Sequence, residues 1–264
     1  MKFEKHHIAD LEKAVELLEN QSLVLTVSDF LGTNIEKGIE ALPDNVKYYL
    51  SRITKKALMH TVNIAGLSIP SDNTKFTGLG RIHTVMSGLC GAASGFFGLP
   101  GLAIELPIST SVMMRSILEI AQKEGENIDE ISTKLACLEV FALGGKTEKD
   151  SNESSGYYFV RASLAASVKN AAEFIAINGF TKEGAPALVR LIIKIAEKFR
   201  IKVSEKLVLQ SLPFIGAVAG GGMNILFADH FQNKAQGHFI VRRLERIYGK
   251  SEVEMKYKEI LCTS

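Results

Sequence analysis

Residues 128–145 read IDEISTKLACLEVFALGG, and this stretch decides the fold class. After Ile128-Asp129, the apolar residues Ile131, Leu135, Leu138 and Ala142 recur three or four positions apart, which sets them on one stripe of an α-helix. Gly144-Gly145 then supplies a stop. The same period appears on both sides of it. Leu11, Ala14, Val15 and Leu18 form a stripe separated by Glu12, Glu16 and Glu19. Pro43-Asp44 marks the start of a helix carrying Val46, Tyr49, Leu50 and Ile53, and Pro186 opens another carrying Val189, Ile192, Ile193, Ala196 and Phe199. Strict apolar–polar alternation is scarce, while residues 68–73 and 145–156 read as polar loops. The pattern predicts an all-α protein.

The chain has 264 residues, 46% hydrophobic and 23% charged, enough to bury a sizeable core and too apolar for a disordered chain. Cys90, Cys137 and Cys262 are too scattered for a disulfide framework or a zinc site. Charge interrupts every apolar run of the N-terminal MKFEKHHIADLEKAVELLEN, so no secretory signal is read there and a reducing, cytoplasmic setting is expected. The net charge of +2 is unevenly spread: residues 1–144 are net −4 and residues 145–264 net +6. A basic half fits an anionic partner, or docking onto the acidic half of the same chain.

Two segments break the amphipathic pattern. Ile82–Ile104 and Leu207–Ala228 contain no formally charged residue, and each is bounded by charges, Arg81 with Glu105 and Lys206 with Asp229. Each reaches the roughly 20 residues that a bilayer crossing needs. Both are rich in glycine (Gly88, Gly91, Gly95, Gly98 and Gly101; Gly216, Gly220, Gly221 and Gly222), which lets helices approach closely. Pro100 and Pro213 interrupt them, so each reads as a helical hairpin rather than one rod. A buried hairpin at the centre of a bundle, a segment that enters a membrane part-way, and a constitutive span all fit this composition. Leu99-Pro100-Gly101-Leu102-Ala103 echoes Leu212-Pro213-Phe214-Ile215-Gly216, hinting at a pseudo-duplication. The expected organisation is N-terminal helices over 1–75, a helical core over 76–258 and a tail over 259–264.

Three motifs carry a resemblance to a family. Residues 98–107, GLPGLAIELP, followed by Met114-Arg115-Ser116-Ile117-Leu118-Glu119-Ile120-Ala121, look like the central motif of the EcsC family. Leu212–Gly216 with Asn224 looks like its second motif. Phe239–Glu245 with Tyr248-Gly249 looks like its C-terminal signature. Two positions depart from the pattern: Glu105 stands where the family typically has Asp, and Glu124 where it often has an aromatic residue. The resemblance implies a bacterial helical protein from a family named for a gene beside those of an ABC transporter. It implies no established enzymatic activity.

Candidate chemistry is sparse. Gly144-Gly145-Lys146-Thr147 lacks the glycine that a phosphate loop needs five residues earlier, where Val140 stands. Glu105 and Glu139 lie inside apolar runs, so each must be paired, protonated or at an edge. Arg115 and Glu119 are spaced for an i,i+4 ion pair, and Arg115 is placed to reach a second acid. The catalytic alternative takes Glu105, Arg115 and Glu139 as acid–base machinery around a pocket for a lipid or small amphiphile. His6, His7, His60, His83, His230 and His238 form no metal-binding pattern, and no metal or cofactor is expected.

The strongest surface signal is basic. Arg190, Lys194 and Lys198 recur every four residues, with Arg200, Lys202 and Lys206 beyond them. Lys234, His238, Arg242 and Arg246 repeat that spacing beside Arg243. Such spacing fits an ordinary solvated face; as a functional reading, the two helices flank the uncharged 207–228 run, which favours anionic lipid over nucleic acid, since no aromatic interleaving or nucleic-acid motif accompanies the charges. The expectation is a non-catalytic protein at the inner face of a membrane or membrane complex. Arg190, Lys194, Lys198, Arg242 and Arg243 would attract headgroups, and Leu99, Leu102, Leu106, Phe214 and Ile215 would supply apolar contact. An adaptor for an ABC transporter or a cytoplasmic partner is a further alternative.

Overall fold

The computed structural model describes residues 3–19, 35–67, 98–143, 156–178, 186–210 and 220–263. Among them the chain forms nine helices and no strand: α1 Lys5–Glu19, α2 Ile35–Glu40, α3 Asp44–Leu67, α4 Gly98–Lys123, α5 Ile131–Leu143, α6 Gly156–Asn178, α7 Pro186–Gln210, α8 Gly220–Tyr248 and α9 Lys250–Thr263. They make a single helical domain, as the periodicity predicts. Residues 82–97 and 211–219 of the two glycine-rich runs, residues 145–155, Cys90, His83, Pro213, Phe214 and Ile215 lie outside the described residues.

Several boundaries follow from local chemistry. The Pro43 carbonyl accepts from the N–H groups of Val46 and Lys47, so α3 starts where its proline marks it. α4 ends in a left-handed glycine: Gly125 has φ +82°, the Glu126 N–H returns to the Ala121 carbonyl and the Gly125 N–H to the Gln122 carbonyl. That double return is a Schellman cap, which satisfies carbonyls that the helix end would otherwise orphan. Pro107 sits inside α4 without an N–H to donate, and the next residues turn hydroxyls onto the same turn, Thr110 to the Leu106 carbonyl at 2.6 Å and Ser111 to the Pro107 carbonyl at 2.7 Å.

The centre of the described structure is α5. From Leu135 to Leu143 every residue is buried, so the stripe expected on one side is apolar nearly all round. α4, α6, α7 and α8 all pack against it. Phe141 of α5 meets Phe199 of α7 and Phe231 of α8 with ring centroids 5.2 and 5.4 Å apart, and Phe227 extends the cluster. α3 lies across α4 and α7, whereas α1 lies along α8 and α9. The α1–α8 approach depends on Gly237, where a Cβ would stand 2.7 Å from Leu18 Cγ and 3.1 Å from the Ala14 carbonyl oxygen. One turn earlier, Lys234 donates to the Leu17 and Leu18 carbonyls at 3.0 and 2.7 Å, placing a cation on the C-terminal end of α1.

Two stripes differ from the sequence reading. In the first half of α7 the buried stripe includes Leu188, Leu191, Ile192, Ile195, Ala196 and Phe199, and Ile193 is 37% exposed on the other side. In α4, Leu102 and Leu106 are buried in the core, Leu99 is partly buried against it, and Ile104 (71% exposed) and Ile108 face outward. Two residues along a helix turn about 200°, so the leucines and isoleucines of 102–108 occupy opposite faces. The apolar contact expected from Leu102 and Leu106 is therefore already made inside the protein. Among the described residues α4 is the one helix long and apolar enough to cross a membrane, and 61% of its apolar window is buried, as in a core helix.

Candidate functional site

Two of the four charges that bound the uncharged runs meet in the interior. Lys206, near the end of α7, donates from Nζ to Glu105 Oε1 of α4 at 2.5 Å, and both side chains are sealed from solvent. Burial pulls the Lys206 ammonium below its ordinary range and the Glu105 carboxylate opposes that shift. The ammonium also stands 5.0 Å from the Phe227 ring centroid. One turn back, Lys202 holds both oxygens of Glu205 at 2.7 and 2.8 Å in a second buried pair. His230, on α8, is held neutral by burial and by the charges of Lys202 and Lys234.

A second polar network joins α5, α6, α8, α9 and α1. Arg161 grips Glu245 through two nitrogens at 2.7 and 3.0 Å and donates to the Tyr157 hydroxyl at 3.2 Å. The same hydroxyl lies 3.0 Å from His238 Nδ1, a hydrogen bond whose donor is set by the imidazole tautomer. Tyr257 donates to Glu19 Oε1 at 3.1 Å, and the Tyr157 N–H donates to the same oxygen at 3.2 Å. Glu139 faces this network without a hydrogen bond to a described side chain. Burial pushes its carboxyl up to about 7, with Arg161 and Arg242 pulling down and Glu245 pushing further up.

Arg242 and Arg243 are engaged internally. Arg242 forks onto Glu126 at 2.8 and 3.1 Å, and Arg246 reaches the same carboxylate and the Glu124 carbonyl. Burial alone would raise the Glu126 carboxyl, but Arg242 and Arg246, with a hydrogen bond from Thr133, hold it below the usual range. Arg243 pairs with Asp10 at 2.7 Å and Glu124 at 3.2 Å. Thus the basic face of α8 docks onto acids of the N-terminal half.

Arg190 and Lys194 are placed differently. Both are exposed on α7, and neither makes an ion pair with a described residue. They line a groove of about 500 Å³ between α6 and α7 with Ala166, Ser167, Asn170, Ala187, Ile193 and Glu197. Lys198 lies further along α7 with its ammonium 5.7 Å from the Phe159 ring centroid. Of the basic residues read from the sequence, Arg190, Lys194 and Lys198 therefore stay together on one helix face, and Arg242 and Arg243 do not join them.

The catalytic candidates are not brought together. Glu105 is held by Lys206, and Glu139 belongs to the Arg161–Arg242–Glu245 surroundings. Arg115 is exposed, and its expected i,i+4 ion pair with Glu119 does not form. Ten residues of α4, about 15 Å, separate it from Glu105. A metal-ligand grouping exists at the start of α1, where donor atoms of Glu4, His6 and His7 lie within 4.8 Å of one another. His7 Nδ1 is already 2.8 Å from the Tyr248 hydroxyl, and the helix N-terminus opposes a cation, so the cluster is an ordinary polar helix start. His6 and His7 both lie in the first turn of α1.

The sequence reading missed Lys206, Glu126, Arg161 and Glu245 as structural partners and Ser167 and Asn170 as groove residues. Only Lys206 carried a signal: like Glu105, it borders an uncharged run.

The model of the EcsC protein family matches residues 1–244, and the chain belongs to that family. The match takes in α1 to α3, the first two motifs and the third as far as Leu244. No curated protein and no solved structure matches the chain.

Proposed function

We propose that this protein is a non-catalytic helical module that attaches peripherally to an anionic membrane face through α7. One observation carries the reading: Arg190 and Lys194 stand exposed without internal ion pairs, on either side of the exposed Ile193. Each cation near an anionic surface adds about 1 kcal/mol, so two or three give a weak, salt-sensitive attachment that needs an apolar contribution. Ile193 supplies it from the same groove, and Ile177, outside the groove lining, is 82% exposed near the end of α6. The negative cytoplasmic leaflet is the face such a surface fits.

Vesicle flotation tests this. Binding to anionic vesicles that weakens with salt, and is absent for neutral ones, is expected. Equal, salt-resistant flotation with both kinds would replace attachment through α7 by insertion of apolar segments. No flotation at any salt concentration would end the membrane reading.

A further inference from the structure

The α6–α7 groove holds more than positive charge. Along α7, Arg190, Lys194 and Glu197 fall within an arc of about 60°, with rises of about 6 Å and then about 4.5 Å between them. Two cations and an acid thus follow one another along a single wall. The facing wall of α6 brings the hydroxyl of Ser167 and the amide of Asn170, and Ala166 and Ala187 keep the space between the helices open. Ile193 is the one large apolar side chain of the lining. Glu197, like the cations, makes no ion pair with a described residue, so all three charges are free to meet a ligand.

A simple anion suits only half of this groove. A phosphomonoester would gain from Arg190 and Lys194 but would bring a second negative charge toward Glu197. A phosphodiester with a hydroxyl-bearing end group fits both halves. Its single negative charge lies between Arg190 and Lys194, with Asn170 and Ser167 as further donors. Its terminal hydroxyls donate to the Glu197 carboxylate. The acyl-linked side of such a headgroup then runs past Ile193.

We infer that the α6–α7 groove is a recognition site for a glycerol phosphodiester headgroup, in which Arg190 and Lys194 hold the phosphate and Glu197 reads the terminal hydroxyls. This rests on the membrane reading for its source of ligand, but the groove chemistry is shared by a free glycerophosphodiester.

The test compares vesicles containing equal mole fractions of phosphatidylglycerol or phosphatidic acid, and titrates soluble glycerophosphoglycerol by NMR chemical shift. Charge attraction alone predicts at least equal binding to phosphatidic acid. The groove predicts several-fold tighter binding to phosphatidylglycerol, loss of that preference in Glu197→Gln, and loss in Asn170→Leu with residual anionic binding retained. These positions are exposed, so unchanged circular dichroism is the control for folding. Flotation with both lipids and no preference would overturn the headgroup site and leave the membrane reading standing. Saturable glycerophosphoglycerol binding lost in Arg190→Ala, without flotation, would support the groove for a soluble ester and overturn the membrane reading. Absence of both would overturn both.

Discussion

Glu105 of α4 and Lys206 of α7 lie 101 positions apart in the chain and meet 2.5 Å apart with the lysine fully buried. Each is the charged residue next to an uncharged, glycine-rich run, one ending the first and the other preceding the second. The pair therefore ties the ends of the two runs together inside the protein. Removing one partner strips a buried charge of its counter-charge, which costs about 3–5 kcal/mol, whereas replacing both with apolar groups is often neutral or better. Lys206→Met is expected to lower stability by that order, and Glu105→Leu/Lys206→Met to recover most of it. Urea unfolding of the wild type, both single variants and the double variant measures the coupling. Additive losses would contradict the pairing.

Arg242 and Arg243 are adjacent in sequence but unequal in the fold. Arg242→Glu sets an acid against the half-buried Glu126 and should cost about 3 kcal/mol or more. Arg243→Glu sets an acid against Asp10, 37% exposed, and Glu124, 14% exposed, through an arginine that is itself 33% exposed, so a smaller loss of about 1–2 kcal/mol is expected. Denaturation midpoints distinguish the two. Equal losses would show that Glu126 has no special hold on Arg242.

Glu139 gives the protein a pH dependence of defined sign. Its folded carboxyl titrates near 7, above the ordinary 4.5, so the folded state binds the proton more tightly than the unfolded chain. That stabilisation is complete below about pH 4.5 and disappears as pH rises through 7, a loss on the order of 3 kcal/mol. Buried His230 and His238, held well below 6.5, act in the other sense, since protonation of the unfolded chain favours unfolding as pH falls below 6.5. Glu139→Gln should therefore be more stable than the wild type at pH 8 and leave the acid-side loss in place. Melting temperatures from pH 4 to 9 test it; an unchanged profile above pH 6 would count against a protonated Glu139.

Gly237 marks the closest approach of α1 to α8. Gly237→Ala gains about 1 kcal/mol of helix propensity but forces a methyl against Leu18 and the Ala14 carbonyl, where overpacking costs about 1–3 kcal/mol. A net loss of stability is expected by thermal unfolding, with increased hydrogen exchange in α1. A stabilised variant would mean that α1 moves aside without cost.

Periodicity was enough for the fold class because long helices bury whole stripes: Leu11, Ala14, Val15 and Leu18 are all buried as spaced. It misjudged Ile193, and it could not tell that Leu102 and Leu106 face inward while Ile104 faces out, because those runs are apolar on more than one side and only packing decides which side is inside. The basic surface was half legible. Charge spacing found Arg190 and Lys194, but it has no way to show that Arg242 and Arg243 face acids contributed by the turn after α4 and by α1, more than 100 positions away. The partner of Glu105 was hidden for the same reason, and the groove needs α6 and α7 side by side before Asn170 acquires a role.

The central claim is that the free cations of α7, rather than the internally paired arginines of α8, hold the protein on an anionic surface. The most direct measurement is flotation of Arg190→Glu/Lys194→Glu beside the wild type on phosphatidylglycerol vesicles at low salt. Loss of flotation by a variant that melts at the wild-type temperature is the predicted result. Wild-type flotation by that folded variant would contradict the claim.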